Sequence, residues 1–421
     1  MRMLGTSVAV AILAAIVSLY VHVQNDFAPL DIYAPSESAN ASIEALFSES
    51  YYHARALFRA KAEAADLPLY TLPLNEFKHL DLTIDIAIVE GAKDRVLLHV
   101  SGTHGVEGFA GSAIQSALLG QHLDRKKKAR KSSDTEALTV MFVHALNPYG
   151  FSQLRRFNEH NVDLNRNWLT PEQFEELAKN DPNKYGYMDV DDVLNPTSIS
   201  GVTNSFWMKA VYYLSTKGFA SIKRALVSGT YHFPKSLYFG GNELQPSLAL
   251  LEQFLKQHVD LEKIHAFGMI DVHTGLGSSG FDTLLVGAGA EMGTVHSVFG
   301  GYEKSVNNVT PLSSDGNDVS EGYDTTVGFT LDGIASLLPA QSKKRNVLLA
   351  QEFGTVPGVF IVKATVEENF AYQHTPSRRL PYAEKLRDVF YLHRSASWKA
   401  SVIARGVAVY DQVYAHIATC A

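Results

Sequence analysis

Cysteine is almost absent: one residue, Cys420, in a chain of 421. A single thiol excludes an internal disulfide and any cysteine metal cluster, so a bound metal would have to be held by His, Asp or Glu. Its place next to the last residue also argues against a catalytic thiol. A net basic charge is missing too. Lys and Arg total 37 against 44 Asp and Glu, giving a formal charge of -7 and a pI of about 6.1. A general nucleic-acid binder would show the opposite balance. The one basic run, "DRKKKARK" from Asp124 to Lys131, lies between apolar segments and reads as a solvated loop. Internal repeats and low-complexity blocks are also lacking. Hydrophobic residues at 46% and charged residues at 19% describe a folded body rather than a disordered one. The length suits one large α/β domain with insertions.

A long uncharged run is present at the start. Leu4 to Val23, "LGTSVAVAILAAIVSLYVHV", holds twenty residues without a formal charge and follows Arg2. As a helix it would be about 30 Å long, enough to cross a bilayer. Residues 1–25 therefore read as a signal anchor or signal peptide and 26–40 as a linker. Residues 41–421 then read as a single domain outside the cytoplasm.

Ala39 to Ala65 carries helical spacing and good helix formers. "LDLTIDIAIVE" alternates as a half-buried strand would, whereas "RVLLHV" and "LTVMFVHAL" are nearly continuous apolar runs that suit central strands. "FAGSAIQSALL" between the last two fits a crossover helix, which makes a parallel strand–helix–strand unit. Residues 171–259 read as a mostly helical insertion. Strands resume with "HAFGMIDVH", "FDTLLVGA" and "NVLLAQEFG", and the chain is helical again from about Pro381. The fold class expected is α/β, a mixed and largely parallel sheet flanked by helices.

Polar residues gather just after the apolar runs, where open α/β sheets place their sites. His104 and Glu107 follow "RVLLHV" in "SGTHGVEG", "NPYGFSQLRRFNEHNVDLNRNW" follows "MFVHAL", Asp271 and His273 follow "HAFGMI", and Glu352 follows "NVLLA". His104, Glu107 and His273 make a two-histidine, one-carboxylate set, which leaves a fourth position open on a catalytic zinc ion. Gly102, Gly105 and Gly108 would let the chain turn sharply enough to aim two ligands at one point. His-x-x-acid spacing alone is weak: His160 and Asp163 match it as well.

The ordered set of His-x-x-Glu, "NPYG", "DLNRNW", a strand-end His and a strand-end Glu resembles the zinc carboxypeptidase superfamily of the carboxypeptidase A type. It is similar also to the succinylglutamate desuccinylase and aspartoacylase branch, and to bacterial-type members with "SGTHGVEGFAGSAIQ" and "EFGT" signatures. The resemblance covers roughly Val96 to Gly358. It implies one Zn2+ ion on His104, Glu107 and His273, with Glu352 as the catalytic glutamate. It implies that Asn165 and Arg166 hold a substrate carboxylate, and that an upstream arginine polarises the scissile carbonyl. Arg155 and Arg156 are both available for that role, and Arg156 is favoured. Asp271 is a candidate to orient a ligand. Tyr238 could line the pocket or merely make a turn, and Tyr323 is a possible counterpart of the family's mobile pocket tyrosine.

Two substrate classes fit these motifs: a peptide losing its C-terminal residue, or a small N-acylated amino acid. A non-catalytic zinc-binding module stands as the alternative, and would be expected to lack a ligand or the general base. Nucleic acid is not an expected partner, and contact with a membrane would come through the N-terminal segment.

Overall fold

Apolar runs without alternation form the inner strands of a single sheet. In this computed structural model the described residues are 37–128, 137–198, 202, 205–300, 308–311 and 326–420. The uncharged N-terminal run, most of the expected linker and Tyr323 lie outside them. The strands are β1 (Leu69–Pro73), β2 (Thr83–Val89), β3 (Arg95–Ser101), β4 (Thr139–His144), β5 (Ala266–Thr274), β6 (Asp282–Val286), β7 (Asn308–Pro311) and β8 (Val347–Phe353). They lie side by side in the order β1-β2-β4-β3-β5-β8-β6-β7. The central four, β4, β3, β5 and β8, run parallel. β1, β2 and β6 join antiparallel, and β7 pairs parallel to β6. The mixed sheet expected from the sequence is therefore present.

The main helices are α1 (Glu37–Glu44), α2 (Tyr51–Ala64), α3 (Gly108–Lys128), α4 (Pro171–Lys179), α5 (Phe206–Lys217), α6 (Phe219–Ser228), α7 (Pro246–His258), α8 (Gly358–His374), α9 (Leu380–Phe390) and α10 (Ala396–Thr419). Helix α3 packs on α2, on α10 and on strands β3 and β5, so these three helices form one layer over the sheet. Helix α3 is the expected crossover between β3 and β4.

Three local expectations are corrected. The helix read from Ala39 to Ala65 is two helices, because Ser50 caps a new start: its hydroxyl accepts from His53 N at 3.3 Å. The basic run is not wholly a loop, since α3 continues to Lys128. Strand β2 is buried along its whole length rather than on one face. Its inward Thr83 and Asp85 are satisfied by α2: Arg59 Nε and Nη2 donate to Asp85 Oδ2 and Oδ1 at 2.6 and 2.9 Å, and Tyr51 Oη donates to Thr83 O at 2.8 Å. Alternation in the sequence thus reflects a polar seam under a helix, not solvent.

Within 171–259, α5, α6 and the turns around them carry their own small core of Tyr187, Leu194, Phe206, Ala225 and Leu237. Helix α7 belongs to the main core through Leu251, Phe254 and Leu255, and the Phe254 ring stands edge-on to Tyr70 of β1 at 5.2 Å.

Two histidines lie inside this sheet and α3 layer, completely buried: His99 on β3 and His144 at the end of β4. Burial pushes each down to about 4, so both are neutral in the fold. An unfolded histidine titrates near 6.5, so between about 4 and 6.5 the unfolded chain holds more protons. Stability should therefore be complete above about 6.5 and fall as pH drops towards 4. Urea unfolding across that window should show a shallower pH slope in His99→Gln than in wild type. An unchanged slope would show that His99 titrates normally.

Candidate metal centre

Four strand ends deliver the side chains. After Ser101, Gly102 takes φ +68°, which turns the chain out of β3. His104 then precedes a single 3-10 turn, Gly105–Glu107, and α3 begins at Gly108. The turn brings the side chains of His104 and Glu107 together, with His104 Nδ1 3.0 Å from Glu107 Oε1. Gly105 is required by close approach: a Cβ there would lie 2.0 Å from the carbonyl carbon of Gly150. That contact seats the turn on the "NPYG" helix, where Asn147 Oδ1 accepts from Gly150 N at 2.8 Å. Two backbone bonds complete the attachment, Gly105 N to Arg156 O at 3.2 Å and Val106 N to Arg155 O at 2.8 Å.

His273 arrives from β5. Its Nδ1 lies 3.1 Å from His104 Nδ1 and 3.2 Å from Glu107 Oε2. Glu107 Oε2 also accepts from Thr274 N at 3.1 Å, and Oε1 from Arg156 Nη1 at 2.7 Å. The three residues are buried and offer donor atoms all within 4.8 Å of one another. A tetrahedral zinc ion with bonds of about 2.0 Å places its ligand atoms about 3.3 Å apart. The observed spacings of 3.0, 3.1 and 3.2 Å match such a cage.

The far nitrogens of both imidazoles face carboxylates. His104 Nε2 is 3.0 Å from Asp163 Oδ1, and His273 Nε2 is 3.0 Å from Asp271 Oδ2, the latter an ion-pair contact rather than an aligned hydrogen bond. Protons on these nitrogens, which the two carboxylates favour and Arg156 Nη2, 2.9 Å from His104 Nε2, opposes, would leave both Nδ1 lone pairs directed at each other. Two lone pairs at 3.1 Å repel unless a cation lies between them. Burial disfavours a charged His273, yet Asp271, Glu107 and Glu352 outweigh it and raise its pKa well above the ordinary value. The pocket is built for positive charge, and His₂Glu with carboxylate-backed histidines is a zinc-type donor set.

Asp163 is the residue that sequence reasoning underrated. It starts the "DLNRN" turn, where its Oδ1 accepts from Asn165 N at 3.0 Å. Besides His104, it takes Arg166 Nη1 on Oδ2 at 2.8 Å and Arg156 Nε at 3.3 Å. Burial would raise its carboxyl, but Arg166, His104 and Arg156 hold it well below the usual range. Arg166 and Asp163 thus form a buried ion pair whose acidic member also backs His104.

Arg156 lies at the centre, against Glu107 and Asp163. Arg155 does not, which corrects its candidacy for substrate binding. It is fully buried, with Nε 3.1 Å from Glu368 Oε1, Nη2 donating to Asn161 and Asn369, and its guanidinium stacked on Tyr372 at 3.3 Å. The chain bends at Arg156 and Phe157, and the adjacent arginines part company there. Arg166 Nε donates to Val227 O at 2.9 Å, and Asn165 Oδ1 accepts from Thr330 N at 3.0 Å. Among the described residues, Arg166 Nη2 and Asn165 Nδ2 have no protein partner.

Glu352 on β8 is the direct register partner of His273 on β5, and neighbouring parallel strands point such partners to the same face. Its Oε2 is buried without a partner, and burial pushes its carboxyl up to about 7. Tyr238, left open by the sequence, joins the site. It adopts φ +56°, and its ring lies 5.6 Å from the Arg156 guanidinium and 5.2 Å from that of Arg166. A non-glycine residue at positive φ was the hidden signal, invisible in sequence. His160 pairs with exposed Glu76 at 2.9 Å, away from this cluster.

The family model described as "Protein of unknown function (DUF2817)" matches residues 47–405. The chain belongs to that family. No curated protein matches it. Similar solved structures include a metallo-carboxypeptidase from Burkholderia cenocepacia, at 11% identity over 86% of this chain and 70% of that one, with a TM-score of 0.40. Bovine thrombin-activatable fibrinolysis inhibitor, in complex with tick carboxypeptidase inhibitor, gives 10% identity over 86% and 98%, with a TM-score of 0.41. A succinylglutamate desuccinylase/aspartoacylase from Rhodobacter sphaeroides gives 15% over 73% and 64%, with a TM-score of 0.28. These are the same kinds of protein that the motifs resemble; at such identities and scores the likeness assigns no activity.

Asp271→Asn should weaken zinc binding by about 10- to 100-fold, measured by competition with a chromophoric chelator, because the carboxylate no longer supports His273. His104→Ala should lose stoichiometric zinc altogether. Full zinc content in His104→Ala would remove it from the ligand set.

Proposed function

We propose that this protein is a zinc-dependent amidohydrolase that cleaves an amide bond beside a substrate carboxylate, in the manner of a carboxypeptidase. One observation carries the reading: a buried His₂Glu cage at coordination spacing, with an unpartnered buried glutamate, Glu352, on the adjoining strand. Zinc held by His104, Glu107 and His273 would activate a water molecule and polarise a carbonyl.

The chain's own groups supply the rest. Glu352 takes the proton from the attacking water and passes it to the departing amine. Its upward shift, caused by burial, puts it near neutrality, where a group serves both as base and as acid. Arg156, beside Glu107, offers positive charge to the oxyanion that develops on the attacked carbonyl. Arg166 Nη2 and Asn165 Nδ2 are open donors that can grip a carboxylate two-pronged, fixing which amide lies over the centre. The phenol ring of Tyr238 walls this space between the two arginines.

The uncharged run Leu4–Val23 supports a body held outside the cytoplasm, which suits peptides or cell-wall fragments as substrates. The same site would accept a small N-acylated amino acid, since that molecule also sets an amide beside a carboxylate.

Zinc-loaded protein incubated with a mixed pool of peptides and N-acyl amino acids, and followed by mass spectrometry, decides between these. Loss of single C-terminal residues makes it a carboxypeptidase, and release of acyl groups makes it a deacylase. Glu352→Gln should keep its zinc and lose turnover roughly a thousandfold. Equal turnover in Glu352→Gln and wild type would remove Glu352 from the mechanism. No product from either, with zinc bound, would leave a binding module.

A further inference from the structure

Far from the zinc ligands in sequence, the inserted helices expose an apolar stripe. On α5, Met208 is 69% exposed and Tyr212 60%, with Trp207 and Leu214 also open to solvent; Phe219, at the start of α6, is 66% exposed. Met208 and Tyr212 are four residues apart, and Trp207 and Leu214 are seven apart; at 100° per residue the two pairs bound a broad outer face of the helix spanning about 160°. Trp207 meets Phe360 edge-on at 5.6 Å, and Phe360 is itself 41% exposed, which widens the stripe onto α8. Beside it lies an open hollow of about 440 Å³ lined by Lys184, Lys217 and Arg224, with Asp189 as its acidic member. Large aromatic and methionine side chains in one exposed strip are uncommon on a monomer and mark a contact surface.

We propose that this stripe is a membrane-contact surface: α5 and the start of α6 lie in the headgroup boundary of the bilayer that holds the chain's own N-terminus. Two features of the chain select this occupant. First, Leu4–Val23 is long and uncharged enough to span a bilayer, and only thirteen residues, 24–36, separate it from the folded body. Thirteen residues reach at most about 45 Å, less than the body's own diameter of roughly 50 Å, so a tether of this length keeps the body close to the lipid. Second, the stripe has the chemistry of that boundary. Trp and Tyr occupy the headgroup level, Met and Phe enter the acyl edge, and Lys184 and Arg224 of the adjoining hollow, where Lys217 is paired with Asp189 at 2.8 Å, meet lipid phosphates.

The test uses the full chain reconstituted in phosphatidylcholine vesicles, with and without phosphatidylglycerol, carrying a spin-label quencher at a shallow or a deep acyl position. Trp207 is the reporter, isolated by subtracting the emission of Trp207→Phe, which keeps that of the other two tryptophans, Trp168 and Trp398. Shallow quenchers should remove the Trp207 emission more than deep ones. Adding phosphatidylglycerol should increase the loss, and Lys184→Gln with Arg224→Gln should cancel that increase. A Met208→Ser, Phe219→Ser variant should leave the protein in the vesicle fraction yet abolish the quenching, with near-UV circular dichroism unchanged. Trp207 emission untouched by lipid quenchers but lost to aqueous iodide would overturn the proposal. So would emission protected from both, with a concentration dependence in detergent, which would mean that a second copy of the chain covers the stripe.

Discussion

One buried carboxylate, Asp163, holds the candidate site together. It accepts from a ligand imidazole, His104, and from two guanidiniums, Arg156 and Arg166. Those three groups come from three separate stretches of chain, so the "SGTHGVEG", "LRRF" and "DLNRN" segments converge on one acceptor. Removing one partner from a buried ionic cluster costs about 3–5 kcal/mol, because the others are left desolvated and unpaired. The arrangement is therefore self-enforcing: each segment must be in place before any of these charges is tolerable inside the protein.

The sheet sets the distances between the groups of the candidate site. Parallel β3 and β5 bring His104 and His273 to the same edge, and the β5–β8 register puts Glu352 beside His273. The stretch around Phe239 is tied back through Asp163 N, which donates to Phe239 O at 2.8 Å, and Tyr238 thereby enters the candidate site. This part of the chain thus walls the candidate site on one side and presents an exposed apolar surface on the other. If that surface meets lipid and the proposed hydrolysis holds, the substrates would be those within reach of a membrane boundary.

Much of this was legible in the sequence. Continuous apolar runs marked β3, β4, β5 and β8, because strands covered on both faces have no need of polar positions. The small residues around His104 marked a turn too tight for side chains, and the close approach of Gly105 to Gly150 is the reason. Other features were not legible. Arg155 and Arg156 are indistinguishable as letters, yet one stacks on Tyr372 behind the site and the other meets Glu107. Thr83 and Asp85 gave β2 the alternation of a half-exposed strand, while α2 supplies the partners that let them be buried.

The sequence by itself determined the donor types, their order and the sheet that carries them, since residue chemistry and local periodicity are short-range properties. Tertiary structure alone decided that His104 and His273 face each other at 3.1 Å, that Asp163 rather than His160 serves the centre, and that Arg155 is spent on Glu368. Those outcomes depend on which segments, 169 residues apart in the case of the two histidines, share a desolvated space. A charge's partner there is set by burial and packing, and neither can be read one residue at a time.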